Sequence, residues 1–187
     1  MNTINFTANL IKHTQIPKRF VDDEYYPSTV SIVELDKNND TDVEALKQTS
    51  YLWNDQQAKY SSNIYHEAVK GYDYDNIEAE HFLALTEQTG SYERLNPNCI
   101  LGLMLFSQTY DDEDEITWLQ VRPNTYSKQT WKREYKEVGK SLIDLLKETK
   151  LKKPIHVQSS NEAVEFYKKQ GFTTREDDGG TSLYLEI

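Results

Sequence analysis

Lys132, Arg133, Lys136 and Lys140 surround Gly139 at what reads as the start of a helix. A helix start leaves backbone N–H groups unpaired and carries partial positive charge, so it can seat an anion. A glycine in the first turn lets that anion approach closely. The pattern therefore suits a phosphate. The competing reading is a solvated face on which Glu134 and Glu137 complement the helix dipole. Carboxylates gather elsewhere, where Asp111 to Glu115 run into one strand and Glu80 precedes His81 at the entry of another. His13, His66, His81 and His156 lack metal-ligand spacing, so no metal site is expected. Cys99, the single cysteine, precedes the apolar run Ile100 to Phe106 and reads as a buried bystander.

These groups need a scaffold, and periodicity supplies it. Alternation predicts a first strand over 30–35. A helix follows, capped by Thr41 or Asp42 and running through Trp53, and then a short one from Asn63 to Lys70. Strands are expected at 81–86, 100–106 and 116–121, with a Gly/Pro/Asn hairpin connection at 90–98 and an acidic turn at 111–114. Val138, Leu142, Leu145 and Leu146 bury one face of a helix over 136–148. A strand at 155–158, a helix at 161–169 stopped by Gly171, and a hairpin of 172–175 with 182–187 close the chain. Residues 1–29 read as an N-terminal extension, with Pro17 and Pro27 as breakers.

At 187 residues the chain has length for one well-buried core, so a single domain over 1–187 is expected. Hydrophobic residues at 37% and charged residues at 28% indicate a globular chain. Without a long apolar run or a basic-then-apolar leader, neither a membrane span nor a secretory signal is expected, and a cytoplasmic location follows. A net charge of −10 disfavours nucleic acid and anionic membranes and favours cationic partners.

The element order, Leu119-Gln120-Val121-Arg122-Pro123 before a glycine-bearing helix, and Phe166-Tyr167-Lys168-Lys169-Gln170-Gly171-Phe172 near the end resemble the GCN5-related N-acetyltransferases, the GNAT superfamily. The resemblance spans roughly 30–187 and is sharpest over 116–172. It implies a mixed α/β (α+β) fold whose central, mostly antiparallel sheet has six to seven strands with about four helices. It assigns 30–115 to the substrate side and 116–187 to acyl-CoA. The family's phosphate motif falls on Glu134 to Gly139. Only Gly139 matches it; Glu137 stands where the first glycine would be, and the preceding loop, 124–134, is long.

The resemblance further implies acetyl-CoA as acyl donor. Arg133, Lys136, Val138, Gly139 and Lys140 would meet its phosphates, and Leu119, Gln120 and Val121 would line its pantetheine arm as a backbone edge. Ser160 or Asn161 would help hold it. Tyr167 would protonate the departing thiolate, a phenol being close enough in acidity to a thiol. Glu115 matches the placement of a catalytic glutamate that takes the amine's proton, with Glu80 and His81 as rivals. The acceptor expected is a small-molecule or peptide amine, cationic in keeping with the acidic chain, and Asp73, Asp75, Glu78 and Glu80 are candidates to attract it. A homodimer is compatible with all of this. The alternative is a non-catalytic coenzyme A-binding or protein-binding module that keeps the fold, a reading that Glu137 supports.

Overall fold

In a computed structural model the described residues are 8–20, 24–54, 59–71, 75–123, 133–149, 151–175 and 181–186. Lys132, the loop 124–132, Tyr72, Asp73 and the hairpin tip 176–180 lie outside them. Seven strands form one sheet in sequence order: β1 (Asn9–Arg19), β2 (Tyr25–Leu35), β3 (Ile77–Thr86), β4 (Ile100–Thr109), β5 (Asp114–Val121), β6 (Ile155–Gln158) and β7 (Ser182–Leu185). All neighbours are antiparallel except β5 and β6, which run parallel. The helices are α1 (Asp40–Asn54), α2 (Lys59–Lys70), α3 (Val138–Glu148) and α4 (Val164–Lys169). The mixed fold expected from the sequence is present.

The sheet separates two apolar layers. On one face Val33, Leu35, Phe82, Ala84, Leu103 and Leu105 pack with Ala45, Leu46 and Trp53 of α1 and Ile64 and Ala68 of α2. On the other, Ile32, Leu83, Leu85, Met104 and Ile116 pack with Val138, Leu142, Ile143 and Leu146 of α3 and Tyr167 of α4. Consecutive strand residues fall alternately in the two layers, as a pleat requires. Gly102 permits the closest approach of α3, since a Cβ there would lie 2.7 Å from Val138 Cγ1.

Several boundaries differ from the sequence reading. The segment read as an extension contributes β1 and the first part of β2. Pro17 and Pro27, expected to break structure, stand directly opposite one another in that hairpin. Both fit because β1 is the sheet's edge, and β2 is joined by β3 only from Ser31 onward. Asn39 caps α1 instead of Thr41 or Asp42, its Oδ1 accepting from the Thr41 N–H at 2.8 Å. Asp114 and Glu115 lie within β5, and α3 begins at Val138 and not at Lys136. The closing hairpin reduces to β7 and an isolated bridge between Thr173 and Tyr184.

Candidate functional site

Strands β5 and β6 stay together for two residue pairs, Asp114 with Ile155 and Glu115 with His156, and then part. From Ile116 to Val121, β5 has β4 on one side and, among the described residues, no strand on the other. The Arg122 N–H donates to Leu101 O at 2.8 Å, on the β4 side. Antiparallel alternation then turns the backbone groups of Gln120 toward β4 and those of Leu119 and Val121 toward the gap. The sequence-named trio is thus divided. Gln120 contributes its side chain instead, whose Nε2 donates to Val121 O at 2.9 Å. A register shift between Leu105/Trp118 and Phe106/Ile116 leaves Thr117 as an extra residue, which bends β5 near the closed end of the gap.

The helix read as a phosphate seat starts beside this gap. A Cβ on Gly139 would lie 3.1 Å from Phe166 Cζ, 3.6 Å from Val121 Cγ1 and 3.7 Å from Leu119 Cδ2. Its missing side chain therefore lets α3 close on β5 and α4, a packing reason the sequence reading lacked. The α3 ladder opens with Ser141 N–H donating to Glu137 O at 2.9 Å, so the amides of Val138, Gly139 and Lys140 precede it. Glu137 holds the N-cap at φ 62°, making no side-chain cap bond, and is the one non-glycine residue with positive φ among the described residues. The position where the resemblance expects a glycine thus keeps the backbone shape that favours one.

The approach to α3 is pinned to the far edge of the sheet. Arg19 N–H donates to Glu134 O at 2.8 Å and Lys136 N–H to Pro17 O at 2.9 Å. Between them the fully buried Tyr135 donates its hydroxyl to the Glu87 carboxylate, and burial raises the phenol's pKa. Among the described residues, Lys136 and Lys140 at the helix start are engaged through their side chains, and Arg133 is held through its main chain. Arg133 O accepts from Tyr25 Oη at 2.7 Å, Lys136 Nζ lies 3.6 Å from the Tyr25 ring centroid, and Lys140 Nζ donates to Asp144 Oδ2 at 2.6 Å. Tyr167 is buried on α4 between the rings of Phe166 and Phe172, at 5.1 and 5.4 Å. Ser160 and Asn161 precede α4, where Ser160 O accepts from Ala163 N–H.

Glu80, Ser107, Glu115, His156 and Tyr184 stand in one cross-strand row, each opposite the next, at the level where β5 and β6 part. Residues so aligned project from one face, here the α2 side. A cleft of about 500 Å³ opens on it, lined by Glu115 and His156 together with Asn76, Thr109, Asp111, Asp112 and Glu113. Glu80 is held by Lys37 at 2.6 Å. His81 projects from the opposite face, its Nδ1 at 2.7 Å from Glu34 Oε1 and its Nε2 at 3.2 Å from Gln108 Oε1. The three rival bases are therefore not equivalent: Glu115 and Glu80 share the row, and His81 does not. Sequence reasoning missed His156. Its signal was the pattern Ile155-His156-Val157, which turns the imidazole away from the core. It also missed Glu67 of α2, buried against Trp118, where loss of solvent raises the carboxyl pKa.

The chain has the GNAT fold. It is similar to a crystal structure from Desulfovibrio desulfuricans assigned to the GNAT family of acetyltransferases, with a TM-score of 0.54 and 12% identity over 84% of this chain and 98% of that one. It is also similar to the PaiA N-acetyltransferase from Thermoplasma acidophilum solved with coenzyme A, with a TM-score of 0.45 and 16% identity over 83% and 96%. Neither a protein-family model nor a curated protein sequence matches the chain.

Two variants test this geometry. Left-handed backbone costs a non-glycine residue about 1–2 kcal/mol, partly offset by glycine's greater unfolded freedom. Glu137→Gly should therefore raise unfolding stability by about 0.5–1 kcal/mol in urea; an unchanged or lower value would deny strain at this helix start. For His81 the pKa is raised, chiefly by its hydrogen bond to Glu34, from an ordinary 6.5. A raised folded-state value makes this contribution fully present below the unfolded pKa and lost as pH rises through the folded one. Urea midpoints should show His81→Gln most destabilised under mildly acidic conditions, with the difference shrinking as pH rises.

Proposed function

We propose that the chain is an acyl-CoA-dependent N-acyltransferase that moves an acetyl group from acetyl-CoA to a primary amine by direct attack. The observation that carries this reading is the parting of β5 from β6 beside the start of α3. The gap presents the backbone of Leu119 and Val121 as an unfilled strand edge, which an extended amide-bearing arm can join by β-type hydrogen bonds. The pyrophosphate of that arm would reach the amides of Val138, Gly139 and Lys140, with Arg133 and Lys136 adding charge. Ser160 and Asn161, which precede α4, would help hold the arm. Gln120 would give up Val121 O as the arm enters.

In this reading the thioester lies at the closed end of the gap, between two proton-handling groups. Tyr167 gives its phenolic proton to the departing thiolate. On the α2 face the apex row supplies the proton-accepting side, with Glu115 as the carboxylate that the sequence points to. The acidic cleft lined by Glu115 and Asp111 to Glu113 favours a cationic acceptor. A cytoplasmic setting and a possible homodimer belong to the same proposal. Among the described residues no helix is long and apolar enough to cross a membrane.

A second reading has a specific observation behind it. Glu137 brings a carboxylate to the helix start in place of the motif's glycine, which favours a module that binds coenzyme A or a protein segment without catalysis. Turnover separates the two. Acetyl-CoA should raise the melting temperature, and an amine panel should release free thiol. Tyr167→Phe should cut kcat by roughly 10²-fold or more while leaving the acetyl-CoA Kd unchanged. Absence of any acetyl-CoA-induced shift would refute the acyltransferase reading, whereas binding without turnover would select the second.

A further inference from the structure

We propose that His156 is the group that takes the proton from the acceptor amine, with Glu115 beside it holding the ammonium in the cleft. This rests on the acyltransferase reading and names a residue that the resemblance does not supply.

Hydrogen bonds behind the His156 ring set its tautomer. Gln158 donates through Nε2 to Thr181 Oγ1 at 2.9 Å, and this placement of the amide turns Oε1 toward Ser182. The Ser182 hydroxyl then donates to Gln158 Oε1 at 2.8 Å, so its proton is committed. His156 Nε2 lies 3.3 Å from the same Ser182 oxygen, and with that proton spent the serine can only accept. The neutral imidazole is therefore the tautomer protonated at Nε2, and Nδ1 carries the lone pair. Nδ1 meets no protein group among the described residues. A tilted contact with Tyr184, 4.9 Å between centroids, fixes the ring plane. The structure thus holds an oriented base on a residue that lines the cleft.

Position supports the same role. His156 is the last β6 residue paired with β5, so it stands at the closed end of the gap. Glu115 is its direct cross-strand partner, a strand spacing of roughly 4.8 Å away. The other titratable groups facing it are Asp111, Asp112 and Glu113 from the β4–β5 turn and Tyr184 from β7. Two cations lie nearby and both are engaged. Arg175 binds Glu113 and sits 3.8 Å from the Tyr184 ring centroid, while Lys153 donates to Thr109 O. His81, by comparison, has both nitrogens occupied and cannot serve.

An alkylammonium acceptor gives one proton to His156 Nδ1, and the freed nitrogen lone pair attacks the thioester carbonyl carbon. A C–N bond forms and the C–S bond breaks, the electron pair leaving on sulfur. The thiolate takes the Tyr167 phenolic proton, and the nitrogen's second proton restores that phenol through solvent. His156 returns its proton to solvent, so one proton is released per amide made.

The experiment measures pH–rate profiles of the full chain with acetyl-CoA and a panel of alkyl diamines, triamines and a lysine-bearing peptide. His156→Gln should lower kcat roughly 10²- to 10⁴-fold and lose the acidic limb of the profile, with the coenzyme A Kd unchanged. Glu115→Gln should raise KM and keep the limb. Added imidazole should restore part of the rate to His156→Ala, a rescue that a merely structural role would not give. Full activity in His156→Gln, or an acidic limb that vanishes in Glu115→Gln instead, would overturn the assignment while leaving the acyltransferase reading standing. No acetyl-CoA binding, or binding without turnover by the unmodified chain, would overturn both.

Discussion

The rest of the structure depends on β5 and β6 pairing for two residues and then separating. Parallel neighbours cannot be joined by a tight turn, so the chain between them must cross over, and α3 is that crossover. Its path brings Gly139 onto Leu119 and Val121, the residues at the open side of β5. The same separation places the row of aligned side chains that passes through Glu115 and His156 at the closed end of the gap, so the gap's apolar side and its polar end arise from one topological fact. The bulge at Thr117 lies two residues beyond the last pair, where β5 leaves β6.

The departures from the family's phosphate motif have a physical context. The residues before α3 are tied to the edge strand through Arg19 and Pro17, with Tyr135 as a buried plug whose hydroxyl meets Glu87. Anchoring of this kind fixes where α3 begins from the outside of the sheet, instead of leaving the position to a glycine-rich loop. Glu137 then adopts the left-handed turn at the helix start in a residue type that pays strain for it. Strain maintained at such a point accords with a functional demand on the amides that follow, which is why the turn and not the motif letters carries weight.

Much of the fold was legible in the sequence because its signals are local. Alternation in β2, the apolar run of β4 and the apolar spacing of α3 each lie within one window. The edge strand β1 was not legible, since it exposes Leu10 and Ile11 among polar residues without alternation, and its Pro17 is tolerated only because β1 is the sheet's edge. For the candidate site the sequence pointed to Leu119, Gln120 and Val121 together, whereas which of their backbone groups face the gap follows from the register of β4. The distinction between Glu115 and His81 is likewise a matter of sheet face. His156 was passed over because its value comes from Ser182 and Gln158, which are remote in sequence or meaningful only once β6 and β7 pair. Lys140 looked like a phosphate ligand, and its tie to Asp144 one turn along was readable at the i,i+4 spacing but not weighed.

The most direct measurement is amide hydrogen exchange along β5, with and without saturating coenzyme A. If the arm completes the sheet edge in the gap, the amides of Leu119 and Val121 slow markedly. Arg122, already bonded to Leu101 O, changes little. Leu119 and Val121 exchanging at the same rate in both states, despite bound coenzyme A, would contradict the gap as its seat.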